Sequence, residues 1–148
     1  MPQFARPTTD TTRDNWFDQA AGTASIFATI DEVASDDGDY IKTQLTPTAD
    51  VYVTKLSAVA DPISSANHTV RFRYRKEATG GERIDLTVEL RQGYVNEGTP
   101  GTLIATVATL VDISGAAWNA GTYTLAGAEA DAITNYADLY LRFVGNKV

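Results

Sequence analysis

Between His68 and Gln92 apolar and charged side chains alternate in two successive runs. Val70, Phe72 and Tyr74 are interleaved with Arg71, Arg73 and Arg75; Ile84, Leu86, Val88 and Leu90 are interleaved with Asp85, Thr87, Glu89 and Arg91. A period of two, with one apolar and one charged face, predicts half-buried strands. Ala78-Thr79-Gly80-Gly81 between the runs supplies the positive-φ residues of a hairpin connection. The expected unit is a long antiparallel hairpin with its arginines facing Asp85 and Glu89 across the strands.

The remaining pattern is also that of short strands. Residues 1–25 stand apart. Met1 to Arg13 holds two prolines and four threonines without hydrophobic periodicity, and Trp16 and Phe17 sit isolated among polar and small residues. This segment is expected to be an extended arm, either folding back on the domain or ordering against a partner through its two aromatics. The domain proper is then 26–148. Residues 26–33 read as a strand or a turn, followed by an acidic loop at Ser35 to Asp39 and a strand over Tyr40–Leu45. Val51 to Val59 is the next strand candidate. After the hairpin, residues 93–101 form a turn-rich loop that exposes Tyr94. Thr102 to Val111 is nearly continuous in apolar character and reads as a strand buried on both faces. Thr122–Leu125 is another strand. Gly127 to Asn135 suits a single helical turn with Ala128, Ala132 and Ile133 inward. Asp138 to Val144 closes the chain as a strand with Leu139, Leu141 and Phe143 inward. About eight short strands separated by turn signals predict an all-β, two-sheet antiparallel β-sandwich.

Composition narrows the function classes. At 148 residues and 43% hydrophobic content the chain is long enough for one core. It has no cysteine, which removes disulfides, zinc–thiolate sites and thiol catalysis. No apolar run reaches the roughly 20 residues of a membrane-spanning helix. The N-terminal residues lack the apolar core of a secretory signal, so no membrane partner is expected. The net charge of −7 argues against a nucleic-acid partner. Charge is unevenly spread, however: residues 1–50 hold nine acids against three bases, whereas 68–92 hold six bases against four acids. Arg71, Arg73 and Arg75 therefore form either a solvated strand face or a basic rung that docks on an acidic neighbour, such as another copy's N-terminal half.

Candidate chemistry is sparse. Asp36, Asp37 and Asp39, around Gly38 and near Glu32, are the one cluster with calcium-type ligands, although their spacing departs from the EF-hand loop. An acidic turn is the commoner explanation for such a cluster. His68 is the sole histidine and opens a strand, where it lacks a second histidine for a metal and a set for a triad. Nucleotide-binding glycine loops are absent. Trp118 either plugs the end of the sandwich or lies on its surface. With Tyr94 it is a candidate for stacking on a sugar.

The order of segments resembles a known module. An acidic DDGDYI stretch precedes DP and NHTVRFRYRK, then a glycine turn and IDLTVELRQG. WNAGTYTL at 118–125 and AEADAITNYADLYLRF at 128–143 follow. Over roughly residues 26–148 this layout resembles a jelly-roll module of tailed-bacteriophage virion proteins, and is similar to that of carbohydrate-binding jelly rolls. The resemblance implies a sandwich of jelly-roll type in a head decoration or tail-associated protein. Such a protein is non-enzymatic, needs no cofactor, works in many copies and assembles into the virion in the host cytoplasm. Its implied partners are the major capsid protein or other virion proteins and copies of itself, with a host surface glycan as the alternative. Interface candidates are Trp16, Phe17, Arg71, Arg73 and Arg75. A stripe of tryptophans along one strand face, as in sugar-binding relatives, is missing.

Overall fold

The computed structural model describes residues 2–77 and 83–148. The strands are β1 (Pro7–Arg13), β2 (Trp16–Asp18), β3 (Ile41–Thr43), β4 (Asp50–Leu56), β5 (Thr69–Tyr74), β6 (Ile84–Gln92), β7 (Thr102–Ile113), β8 (Asn119–Thr124) and β9 (Leu139–Lys147). A 3-10 turn at Ile26–Thr29 and a short helix α1 (Gly127–Asp131) complete the elements. The chain is all-β and antiparallel. Its main sheet has the order β1-β4-β9-β6-β7, and β2-β3 and β5-β8 form two separate ribbons. No helix among the described residues is long and apolar enough to cross a membrane.

The expected hairpin is not what joins the two alternating runs. β5 pairs with β8, from Thr69↔Thr124 to Tyr74↔Asn119, while β6 lies inside the main sheet between β9 and β7. Side-chain demand explains the separation. The apolar side of β5, Val70 and Phe72, packs flat on the core face of the main sheet against a cluster that includes Val88 and Leu90. A strand used as a lid in this way cannot also extend the sheet it covers. Its partner β8 contributes Gly121, whose missing side chain leaves room for the Phe72 ring. A Cβ there would sit 2.3 Å from Phe72 Cζ. The Ala78–Gly81 connection falls outside the described residues.

The N-terminal segment folds back on the domain, the first of its two expected courses, but as part of the sheet and not as a separate arm. Pro7–Arg13 is the edge strand next to β4, and Trp16 is only 6% exposed, its indole N–H donating to the Asp50 carbonyl at 3.0 Å. Hydrophobic periodicity misses this strand because polar side chains hold it. Asp14 accepts the Val51 N–H, and Thr54 Oγ1 donates to the Thr9 carbonyl. Trp16, Ile26 and Tyr52 form their own cluster, with Phe143 packed against it.

Both edges of the main sheet carry bulges. Every register shift in the β1–β4 and β6–β7 pairs places the extra residue on the edge strand, two in β1 and three in β7. Bulges twist an edge away from further pairing. β7 is thus an edge rather than a strand buried on both faces, and Leu103 and Val111 are exposed. In the helical turn the inward residues are Ala130 and Ile133, with Ala128 and Ala132 outside.

The outer face of the main sheet is closed by the loop after β6. Tyr94, expected on the surface, is 3% exposed and packs with Val51, Val53 and Tyr140. Its hydroxyl donates to Glu97 at 2.8 Å and accepts from Thr12 Oγ1 at 2.8 Å. Beside it Arg142 forks onto Glu97 (2.6 and 3.0 Å) and reaches Glu89, which also receives Arg91. Glu89 thus pairs within β6 and with β9, not with the arginines of β5.

Candidate interaction surface

The register of the β5–β8 ribbon decides what faces outward. Val70, Phe72 and Tyr74 lie opposite Tyr123, Gly121 and Asn119, while Thr69, Arg71 and Arg73 lie opposite Thr124, Thr122 and Ala120. The outward set is exposed on both strands. Continuing the same spacing past the paired residues sets Arg75 against Trp118, and the guanidinium lies 4.8 Å from the Trp118 ring centroid. The three arginines therefore share one face, as alternation requires, but each has a different environment.

Arg71 is exposed and has neither hydrogen bond nor ion pair among the described residues. Arg73 is held by the chain's own acidic loop: its Nε and Nη2 each lie 2.7 Å from an Asp37 carboxylate oxygen. Arg75 is wedged between aromatics, 5.2 Å from the Tyr40 centroid as well as against Trp118, and the two rings meet edge-on at 5.7 Å. Cation–π contacts of this kind stabilise by about 0.5–1 kcal/mol at exposed sites. Of the basic rung, Arg73 alone has an acidic partner among the described residues, and that partner, Asp37, belongs to the same chain.

The three aspartates of the calcium candidate do not converge. Asp37 faces Arg73, Asp36 accepts the N–H of Gly38 at 2.7 Å, and Asp39 accepts the Gln19 amide at 2.8 Å. No group of three or more metal-binding side chains comes together among the described residues. Glu32 close by has its carboxyl raised above the usual range, first by burial and then by the charges of Asp31, Asp39 and Asp36.

The remaining candidates are dispersed. Phe17 is half-buried in β2, opposite Lys42. Tyr94 offers no face for stacking, while Trp118 is half-buried on the ribbon's outer side. His68 Nε2 shares a 2.7 Å hydrogen bond with the Tyr136 hydroxyl at the start of β5. Tyr40 is the contributor that sequence reading passed over. Its position three residues after Asp37 is visible in the sequence, but its partners Arg75 and Trp118 lie far along the chain and only the fold brings them together. No family model matches the chain, and no curated protein or solved structure matches it.

Proposed function

We propose that the chain is a non-enzymatic structural protein of a tailed-bacteriophage virion, a jelly-roll capsid decoration protein that binds the major capsid protein at the head surface beside copies of itself. The observation that carries this reading is the outer face of the β5–β8 ribbon, where Arg71, without a partner among the described residues, stands in a row of threonines. An exposed strand face carrying an arginine suits docking on a protein surface, because arginine is enriched at the energetically dominant positions of interfaces. The carboxylates support the same reading, since several are engaged in fastening loops. Asp10 holds the 3-10 turn, Asp50 takes the Asn15 and Gln44 amides, and Asp14 holds β4.

A tail- or fibre-associated position follows from the same face. The glycan-binding alternative is favoured by one observation, Trp118 beside Tyr40 and Arg75 on an accessible side of the ribbon. Immunogold labelling of particles from the source, with antibody raised against the purified chain, tests the proposal. Label on heads is expected. Label on tails transfers the role there, and unlabelled particles with retention on a glycan array, lost in Trp118→Ala, replace the virion reading.

A further inference from the structure

The candidate docking face already carries an occupant. Asp37 and Tyr40, three residues apart on one loop, engage Arg73 and the Arg75–Trp118 pair respectively. The first contact is a two-point fork of guanidinium on carboxylate, which fixes direction as well as charge. The second is an aromatic edge against an indole, with the guanidinium over both rings. Together they describe what the face recognises: an acidic side chain followed, three residues on along a bent segment, by an aromatic ring.

The occupant is held loosely. The side chains of Asp37 and Arg73 remain 44% and 36% exposed, so water and salt compete for the pair. The loop also gathers Asp31, Glu32, Asp36, Asp37 and Asp39 within nine residues, and like charges brought together oppose closure. A segment from another molecule could make the same two contacts once the loop has lifted away. It would also reach Arg71, which the loop leaves unpaired.

We propose that the outer face of the β5–β8 ribbon is a recognition face for an acidic–aromatic segment of a partner protein, and that the chain's own Asp37-Gly38-Asp39-Tyr40 occupies it as a displaceable internal mimic. This rests on the docking reading of the face and names the chemistry of its partner. It does not depend on whether the partner is a head or a tail protein.

The probe is a synthetic peptide with the chain's own sequence at 34–41, ASDDGDYI. It is titrated into the full chain and into a double variant, Asp37→Asn with Tyr40→Ala, following amide resonances of β5 and β8. Both changes lie on the loop's outer contacts, and unshifted amide resonances across the main sheet confirm the fold. A loop closed about nine-tenths of the time weakens apparent affinity about tenfold, so the double variant is expected to bind about ten times more tightly than the parent. Adding Arg73→Glu to the double variant is expected to abolish binding. Equal affinity for parent and double variant, no binding to either, or binding that survives Arg73→Glu overturns the proposal. Parent and double variant that associate when mixed without peptide overturn it in favour of a second copy as occupant. Particle labelling reads location alone, so the two proposals fail separately.

Discussion

The Tyr52 hydroxyl, on a fully buried ring, donates to Asp10 Oδ1 at 2.8 Å. The same carboxylate accepts the N–H groups of Ile26 and Phe27, each at 2.9 Å, so one side chain on the threonine-rich edge strand ties β1, the 3-10 turn and β4 together. The carboxylate in turn pushes the Tyr52 phenol further up, after burial as the main cause. Removing one end of the link is therefore unlike removing the other. Tyr52→Phe keeps the stack on Phe143 and loses one bond, a cost of about 0.5–1.5 kcal/mol. Asp10→Ala leaves three donors without their acceptor and is expected to cost about 3 kcal/mol or more. Urea unfolding of both variants checks this, and equal losses would show that Asp10 is not the common anchor.

Trp16 gives the second prediction. Its ring packs within about 6 Å of Tyr52 and Phe143, and its indole N–H is satisfied by the Asp50 carbonyl. Trp16→Ala is expected to cost about 3–5 kcal/mol, as for large buried aromatics. Phe17→Ala, at a half-buried position, is expected to cost clearly less. Deleting residues 1–20 would strip both Trp16 and the β1 edge from β4, and should lower the unfolding temperature sharply instead of leaving an intact domain. Calorimetry of the three proteins separates these outcomes, and a truncated chain that melts like the parent would contradict the packing.

These two sites mark where sequence reading succeeds and where it stops. Alternation identified β5, β6 and β9 with their inward residues, because each has one face on the core and the period of two survives. It could not tell that β5 and β6 belong to different sheets, since a glycine-rich connection between alternating runs signals a hairpin whether or not the strands pair. The edge strand β1 was hidden because its attachments run through Asp10, Asp14 and backbone groups, which leave no apolar period. Trp118 and the arginines were recognisable as surface chemistry. That Asp37 and Tyr40 cover Arg73 and Arg75 depends on a loop crossing between ribbons, which no local pattern encodes.

Gly121 carries the third prediction. A Cβ at this position would meet the Phe72 ring atoms at 2.3–2.7 Å, well inside contact distance. Gly121→Ala must therefore push the ring off the ribbon, an overpacking cost of about 1–3 kcal/mol. Phe72→Leu in the same chain removes the clash and should recover part of the loss, so the pair is non-additive. Denaturation of both single variants and the double variant measures the coupling. Additive losses would mean that the ring does not lie over the glycine.

Acid sensitivity follows from two glutamates with opposite shifts. Glu97 is held below the usual 4.5, first by its hydrogen bonds from Arg142, against some opposing burial. A depressed native value means that the unfolded chain binds the proton more readily. The stability Glu97 contributes is therefore complete above 4.5 and is lost as pH falls through the lower native value. Glu32 is raised by burial and by its acidic neighbours, so its contribution has the reverse sign, present below 4.5 and lost as pH rises through the higher native value. Glu97→Gln is expected to weaken the fold at neutral pH and to flatten the acid limb of a stability–pH curve. Glu32→Gln is expected to strengthen it at neutral pH and leave that acid limb in place. Urea midpoints from pH 3 to pH 7 for parent and variants check both signs. A Glu32→Gln protein weaker than the parent at pH 7 would mean that the carboxylate is stabilised in the native loop, and that crowding among Asp31, Asp36 and Asp39 does not oppose its closure onto the ribbon.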